Sequence, residues 1–370
     1  MKRVLFISNG FAEDMVVLKL AGELKNRMPD SEITCLPIVG NAGHFKDRNL
    51  KVIGPHWKLP SEGLNYGNWI LHILDILCGL PVLALLQFFS LRVRRRHFDL
   101  TVTVGDYVGI AAAALAGLSA PLVHVWVCPA RHYPAFVREY LRKHGVAVYQ
   151  RTEGKSVLDE SGVQVKSVGN PLLDTFDITG ESFGLDKSVP TVGVLPGSRK
   201  NVFDNLETLI AVMDGIKRKK KVQFLIALSP KIDRKKFMSS ASRTRGWSDD
   251  FIVTDKFGDV LNSSDLVIGL ARTGNEQAMA LGKPVVTFWG KGFSMSEPMV
   301  RKHAHRILKK NAVLLPPEHD RISSEVVSLL DDPGRMSEMS RRGREIMGPL
   351  GGSKVIAQEI GEFLKGGTRQ

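Results

Sequence analysis

Two segments in the second half of the chain share one pattern: TVGVLPGSR at residues 191–199 and LVIGLARTGNE at residues 266–276. In each, a short apolar run typical of a buried strand ends in a turn of small residues that opens a helix. The first N–H groups of a helix have no partner within the helix, and they bind anions. Two such turns facing one crevice hold a diphosphate without a metal. The pattern therefore predicts a nucleotide-sugar site.

Side chains in and after these turns are candidate ligands of the donor. The predicted donor-binding residues are Ser198, Arg199, Arg272, Thr273, Gly274, Asn275 and Glu276. Hydroxyl, backbone and guanidinium donors suit phosphate, and a carboxylate such as Glu276 accepts hydrogen bonds from two ribose hydroxyls. Each residue also has a structural interpretation: a surface ion pair for Arg199, turn formation for the small residues, and helix-dipole compensation for Glu276.

Composition and charge indicate the class of partner. The chain has 370 residues, 43% of them hydrophobic, which suffices for two domains. A net charge of +13 favours anionic partners such as nucleic acid, acidic lipid or phosphorylated substrates. Nucleic acid ranks low, because aromatic residues make up 7% of the chain and no motif for reading bases is found. Cys35, Cys78 and Cys128 are expected to be buried, reduced thiols without metal-site spacing.

The order of apolar runs predicts an α/β protein with two parallel sheets. In the first half, strand-like runs at 4–7, 33–36, 100–104, 122–127 and 146–149 alternate with helical segments. The pattern weakens after residue 175 and restarts with runs at 191, 222, 251, 265, 284 and 312. We therefore predict domains at 1–175 and 188–353, followed by a C-terminal helix and tail at 354–370. The first run ends at SNG, with acidic residues soon after, which is unlike an export signal.

A strongly apolar stretch lies between residues 65 and 96. Its first part predicts an amphipathic helix with a polar face (Asn65, Asn68, His72, Asp75, Gly79) and an apolar face (Trp69, Ile70, Ile73, Leu74, Ile76, Leu77). A second helix from Pro81 ends in Arg92, Arg94, Arg95 and Arg96. Polar interruptions argue against a single membrane span, which needs about 20 apolar residues. Either the helices cover the first sheet, or they dock on an anionic bilayer.

Four blocks in order carry a resemblance to a known family: SNGFAED at 8–14, VGNPLLD at 168–174, LPGSR at 195–199 and RTGNE at 272–276. Together with the apolar helices, they resemble lipid-A-disaccharide synthase and its related-protein branch over residues 1–315. The resemblance implies the GT-B fold, which is two Rossmann-like, doubly wound domains facing a cleft.

The resemblance also implies an activity and a location. It implies an inverting, metal-independent transferase that needs no cofactor and moves an acylated glucosamine from UDP to a phosphorylated glucosamine lipid. The expected partners are a UDP-sugar, a lipid-linked sugar acceptor and an anionic membrane, without nucleic acid. The expected location is cytoplasmic, peripheral on the inner face of the cell membrane.

The resemblance assigns roles in the N-terminal domain. Asp106 follows the strand at 100–104 and falls where the synthase carries its essential aspartate, so it is the predicted catalytic base. Its alternative role is the N-cap of the next helix. Gly10, Glu13 and Asp14 are predicted to bind the acceptor, although acidity in a first helical turn also explains the carboxylates.

The chain departs from the family pattern at three places. Phe11 and Asn170 stand where the related branch and the synthase have histidine, and Arg272 to Asn275 replace a run of small residues. Both places therefore lack a side chain that titrates near neutral pH, which argues against a mechanism that needs one there. A UDP-N-acetylglucosamine epimerase, a transferase with a soluble acceptor, and an inactive membrane-associated binding protein remain as alternatives.

Overall fold

The computed structural model describes residues 1–40, 42–61, 69–127, 133–151, 158–198, 201–292 and 295–366. The chain folds into two compact units. The first comprises Met1–Thr175 together with Leu350–Gln370, and the second comprises Phe176–Pro349.

The first unit is built on a parallel sheet covered by helices. Its strands are β1 (Arg3–Ser8), β2 (Glu32–Pro37), β3 (Lys51–Val52), β4 (Leu100–Val104), β5 (Leu122–Trp126), β6 (Ala147–Gln150) and β7 (Val165–Ser167). Its helices are α1 (Phe11–Arg27), α2 (Gly43–Lys46), α3 (Trp69–Leu77), α4 (Leu80–Arg92), α5 (Tyr107–Ala116) and α6 (Ala135–Lys143), with 3₁₀ turns at Asp159–Ser161 and Pro171–Asp174. The central strands are buried on both faces, as expected for a parallel sheet between helical layers.

The second unit repeats this plan. Its strands are β8 (Thr191–Leu195), β9 (Gln223–Ala227), β10 (Ile252–Thr254), β11 (Leu266–Gly269), β12 (Val285–Phe288) and β13 (Val313–Leu315). Its helices are α7 (Val202–Lys219), α8 (Arg234–Ala241), α9 (Phe257–Ser263), α10 (Arg272–Ala280), α11 (Glu297–Arg306), α12 (His319–Leu330) and α13 (Pro333–Met347). All six strands predicted from the sequence are confirmed in this unit.

The last helix, α14 (Gly352–Leu364), packs in the first unit, where Ile356, Ala357 and Ile360 join the core that contains α1. Asp174 accepts hydrogen bonds from the backbone N–H groups of Gly351 and Ser353, each at 2.8 Å. The VGNPLLD block therefore anchors the returning chain. Residues 350–353, which the sequence assigned to the second domain, lie in the first unit.

Both sheets have the strand order of a doubly wound fold. The orders are β3-β2-β1-β4-β5-β6-β7 and β10-β9-β8-β11-β12-β13, and every pair is parallel. In each sheet the first three strands follow one another towards one edge. The chain then crosses back, and the remaining strands are added on the other side of the first strand. The order thus reverses between β1 and β4 and between β8 and β11. Ligands of open α/β sheets bind at the carboxyl ends of the strands at such a reversal.

The helices α3 and α4 expose most of their apolar side chains. Trp69 is 69% exposed, Leu77 76% and Phe89 53%, while Asp75 and Gln87 are buried. Asp75 accepts from the backbone N–H of Ser61, and Gln87 donates to the carbonyls of Ile38 and Pro55. Asp75 and Gln87 thus hold these helices on the unit. Leu83 and Leu91 of α4 are buried as well, whereas most other apolar side chains of the pair remain exposed. Asn65 and Asn68 lie outside the described residues.

Length and composition decide whether these helices could cross a membrane. Within the described ranges, no helix alone is long and apolar enough to cross a membrane, whereas α3 and α4, bent by 66° at their junction, meet that test as a pair.

Two short strands and one cysteine differ from the sequence-based expectations. The strands β3 and β7 were missed because they have only two and three residues and are incompletely buried. Cys35 is buried as expected, and burial raises the pKa of its thiol. The expectation was wrong for Cys78, which is exposed where α3 meets α4. Cys128 lies outside the described residues.

Candidate functional site

The two turns of the second unit lie side by side. The strands β8 and β11 are adjacent, with Leu195 opposite Gly269, and the N–H of Leu270 donates to the carbonyl of Leu195 at 2.8 Å. Gly197 has a φ of +104°, and a Cβ there would lie 3.5 Å from the carbonyl oxygen of Leu270. Glycine therefore suits both the left-handed backbone and the close approach. Both turns occupy the point where the strand order reverses.

Helix α10 presents an uncapped N-terminus at this point. Its N-cap is Ala271, no side chain caps it, and its first turn contains no acidic residue. The backbone N–H groups of Thr273 and Gly274 precede the first intrahelical bond, which runs from Asn275 N to the carbonyl of Ala271 at 2.8 Å. Arg272 and Thr273 are half-buried, and Ser198 in the neighbouring turn is exposed. These groups can present N–H, hydroxyl and guanidinium donors to an anion. Arg199 lies outside the described residues.

The side chain of Asn275 has a structural role. Its side chain is buried, and its Nδ2 donates to the carbonyl of Gly269 at 3.1 Å. The same carbonyl accepts from Thr287 Oγ1 at 2.7 Å. The side chain therefore fixes the start of α10 on β11 and β12, and phosphate binding by Asn275 stays a prediction. Gly274 is buried beside Leu195, where a Cβ would lie 3.0 Å from the Leu195 Cδ1, so it permits close packing as well.

Glu276 is buried and already has a partner. Its Oε1 lies 3.0 Å from Nε2 of His303 on α11, and both side chains are less than a tenth exposed. A ribose would have to share this carboxylate with the imidazole. His303 belongs to a basic run at residues 301–306. Within that run, His303 has a carboxylate partner.

Some of the other basic residues form surface ion pairs. Arg301 pairs with Glu297 at 2.7 Å, and its guanidinium lies over the ring of Trp289. Within the run at 217–221, Lys217 pairs with Asp250 at 2.6 Å and Lys220 with Asp331 at 2.5 Å. This run is a largely solvated helix end.

The first unit has a corresponding arrangement at its own reversal. Ser8, at the end of β1, is opposite Val104 at the end of β4. Asn9 follows Ser8, and Asp106 follows Val104 after one glycine. Nδ2 of Asn9 lies 3.5 Å from each carboxylate oxygen of Asp106. The carboxylate thus stands at the ligand-binding edge of the sheet.

Asp106 is also the N-cap of α5. Its Oδ1 accepts from the backbone N–H of Val108 at 2.9 Å, which confirms the structural role considered for it. Burial raises the pKa of this half-buried carboxyl, although the hydrogen bonds from Val108 and Asn9 act in the opposite direction. A raised pKa makes the carboxylate a stronger base, so capping and proton abstraction are compatible.

The predicted acceptor-binding residues are largely enclosed. Gly10 has a φ of 127° and is the N-cap of α1, so it shapes the turn. Glu13 is 4% exposed and packs against Gly105. Asp14 is 1% exposed and accepts from Ser8 Oγ at 2.5 Å. Its carboxylate is therefore engaged by a protein group, and acceptor binding by Asp14 stays a prediction.

A histidine that sequence reasoning missed joins this cluster. Nε2 of His44 lies 2.9 Å from Oδ2 of Asp14, and its ring meets the ring of Phe11 edge-on with centroids 5.7 Å apart. His44 comes from α2, which follows β2, the neighbour of β1. Nothing in the local sequence marked it. Asn170, the other departure from the family pattern, caps the Pro171–Asp174 turn by accepting from Leu172 N at 3.1 Å.

Sequence comparison finds relatives of one kind, although no family model matches the chain. A lipid-A-disaccharide synthase of Myxococcus xanthus is 24% identical over 313 residues, 78% of this chain and 74% of that protein. Another from Syntrophotalea carbinolica is 27% identical over 220 residues, 54% of this chain and 53% of that protein. The resemblance to lipid-A-disaccharide synthases is confirmed. The alignment with the Syntrophotalea synthase spans only about half of either protein.

Solved structures similar to the chain establish the fold. The calicheamicin glycosyltransferase CalG4 matches with a TM-score of 0.67 and 16% identity, covering 100% of both chains. MurG of Acinetobacter baumannii matches with a TM-score of 0.57 and 12% identity over 99% of both chains. A putative UDP-N-acetylglucosamine 2-epimerase of Listeria monocytogenes matches at 0.62 and 13% identity, over 99% of this chain and 97% of that one. The predicted GT-B fold, with two Rossmann-like domains, is therefore confirmed. At such identities a shared fold does not identify the reaction.

Proposed function

We propose that the protein is an inverting glycosyltransferase that moves a hexosyl group, such as an acylated glucosamine, from a UDP-sugar to a lipid-linked acceptor. The observation that carries this proposal is the pairing of the Pro196–Ser198 turn with the uncapped start of α10. That pairing lies at the strand reversal of the second unit. The sequence similarity to lipid-A-disaccharide synthases supports the same reaction class.

The second unit would bind the donor. The diphosphate would accept from the N–H groups of Thr273 and Gly274, with Ser198 and Arg272 beside them. These donors stabilise the charge that develops on UDP as it leaves, which is the role a metal ion fills in other transferases. In this proposal no cofactor takes part. Glu276 would bind the ribose while retaining its contact with His303.

The first unit would bind the acceptor and supply the base. Asp106 would take the proton of the acceptor hydroxyl as the oxygen attacks the anomeric carbon from the face opposite UDP. The new carbon–oxygen bond forms while the bond to the diphosphate breaks, and UDP leaves with the electron pair. The raised pKa of Asp106 and its position at the sheet edge support this role.

The exposed apolar side chains of α3 and α4 favour a lipid acceptor over a soluble one. Contiguous apolar surface exposed to water is costly unless it binds something. Arg92 and Arg96 are exposed directly after this surface, and such cations attract anionic headgroups. We propose that the two helices lie in the interface of an anionic membrane, on its cytoplasmic face, and bring the enzyme to its lipid substrate.

The experiment is incubation of the purified protein with radiolabelled UDP-sugars and a membrane lipid extract. Labelled lipid, obtained only with both substrates present, supports the transferase. Conversion of the UDP-sugar without lipid would indicate an epimerase, and labelled water-soluble product a soluble acceptor. Donor binding without any product would indicate an inactive binding protein.

A further inference from the structure

We propose that His44 binds the acceptor sugar in the first unit, presenting its Nδ1 as a hydrogen-bond acceptor to a sugar hydroxyl, with Asp14 as its positioning residue. The inference rests on the proposed function, because it concerns the acceptor side of that site. Neither residue type nor spacing in the sequence connects His44 with Asp14.

The geometry of the pair fixes the imidazole. Oδ2 of Asp14 lies 2.9 Å from Nε2 of His44, while Oδ1 accepts from Ser8 Oγ at 2.5 Å. Because a carboxylate only accepts, Nε2 must carry the proton. In the neutral ring, the lone pair is then on Nδ1. No residue in the described ranges hydrogen-bonds to Nδ1 of His44.

Packing holds the ring in place and leaves one side open. The His44 ring lies 4.6 Å from the ring of fully buried Phe45 and meets Phe11 edge-on. The Asp14 side chain is 2% exposed, whereas that of His44 is 21% exposed. A buried carboxylate therefore orients an imidazole that solvent, and hence a ligand, can reach. A histidine needed only for stability would gain from full burial with both nitrogens paired.

The position of the pair agrees with a ligand-binding role. Ser8 and Pro37 are opposite each other at the carboxyl ends of β1 and β2, and α2 follows β2. Asp106 flanks β1 on its other side, through Asn9. His44 and Asp106 thus stand on either side of the same strand end, where an acceptor sugar can contact one through a non-reacting hydroxyl and the other through the attacking hydroxyl.

The first test is steady-state kinetics of His44→Phe, with an acylated glucosamine 1-phosphate in vesicles as acceptor. Loss of one hydrogen bond to the acceptor should raise its KM about tenfold, with the KM for the UDP-sugar within about twofold of wild type. His97→Phe is the matched control, because His97 also precedes a phenylalanine that it contacts. Its Nδ1 lies 3.3 Å from the guanidinium of Arg3, which is at the amino end of β1, away from the proposed site. Asp14→Asn should raise the same KM.

The second test does not depend on turnover. Diethyl pyrocarbonate modifies neutral imidazoles, and glucosamine 1-phosphate should slow modification of His44 but not of His97, as measured by mass spectrometry. Protection of both or of neither would overturn the proposal. An unchanged acceptor KM in folded His44→Phe would overturn it as well. If Asp106→Asn still abolishes turnover in that case, the proposed glycosyltransferase function stands and only the role of His44 is rejected.

Discussion

The side-chain amide of Asn275 donates to the backbone carbonyl of Gly269 at 3.1 Å, and this bond fixes the start of α10 above the end of β11. The contact is tight, since a Cβ on Gly269 would lie 1.7 Å from Oδ1 of Asn275. The proposed diphosphate site therefore depends on a residue that does not itself face the ligand.

Substitution Gly269→Ala should weaken UDP binding by at least about tenfold. The added methyl group forces Asn275 to move, and overpacking of this kind typically costs about 1–3 kcal/mol of stability. Displacement of the α10 start then removes N–H groups from the diphosphate. Calorimetric titration with UDP and urea unfolding measure the two effects.

Gly22→Ala is the control for that substitution. Gly22 is an exposed glycine inside α1, and a methyl group added there would meet no other group within 4 Å. Alanine there should leave UDP affinity unchanged and stabilise the fold by up to about 1 kcal/mol. If Gly269→Ala lowers stability but leaves UDP affinity intact, the donor does not bind at the start of α10.

Much of the fold could be predicted from the sequence, because strands buried on both faces leave continuous apolar runs. The two glycine turns could be placed as well, since parallel strands bring their carboxyl ends to one edge. The sequence does not determine which face of an amphipathic helix turns inward. For α3 and α4, buried Asp75 and Gln87 decide this through hydrogen bonds to distant segments.

The candidate site could be predicted only where its residues lie next to a strand end. Asp106 and the start of α10 come shortly after strands, so their positions could be predicted. His44 and His303 reach Asp14 and Glu276 from other elements, over separations of 30 and 27 residues. Such contacts depend on tertiary packing, and the local sequence pattern does not indicate them.

The paired substitution Leu77→Ser with Phe89→Ser should weaken binding to anionic vesicles. These side chains are 76% and 53% exposed. Since complete burial of such a side chain is worth about 1.5–3 kcal/mol, their joint loss should lower partitioning at least about thirtyfold. Vesicle sedimentation at several salt concentrations measures this effect, and wild-type binding should also fall as salt rises.

Leu350→Ser with Phe363→Ser supplies the matched control for the vesicle experiment. Both residues are in the first unit and are 43% exposed, but they lie outside α3 and α4. Equal loss in both double variants would show that no particular surface docks on the membrane, and would reject the proposed role of α3 and α4.

The stability of the first unit should fall in acid because of His124. This imidazole is fully buried between Thr103 Oγ1, at 2.9 Å, and the Tyr133 hydroxyl, at 2.7 Å, and burial lowers its pKa to about 3. In the unfolded chain this imidazole has the ordinary histidine pKa of about 6.5. As the pH falls, the unfolded state therefore takes up the proton before the folded state does. The stabilising contribution is therefore complete above pH 6.5 and is lost progressively towards pH 3.

Urea unfolding of wild type and His124→Leu between pH 7 and pH 4 measures this linkage. Wild type should lose about 1.4 kcal/mol per pH unit more than the variant below pH 6. Because other groups titrate equally in both proteins, the difference isolates His124. Parallel pH dependence of the two proteins would show that His124 is not held neutral.

The acid limb of the pH–rate profile should reflect Asp106. The base must be ionised, so turnover should fall as the pH drops through its pKa. Since burial raises that pKa above the ordinary 3.8, the limb should lie at higher pH than an exposed aspartate would give. Measurement of kcat/KM for the acceptor against pH checks this. A flat profile down to the ordinary aspartate range would argue against Asp106 as the base.

The most direct measurement is turnover and UDP affinity of Asp106→Asn in the labelled-lipid assay. Asparagine is as good an N-cap as aspartate, so α5 should stay intact, whereas alanine would cost about 1 kcal/mol. We predict that Asp106→Asn abolishes transfer of label to lipid while the Kd for UDP stays within about twofold, because a general base contributes typically about 10²–10⁴ in rate. Wild-type turnover by Asp106→Asn, or equal loss of turnover and UDP binding, would contradict the proposal that Asp106 is the catalytic base.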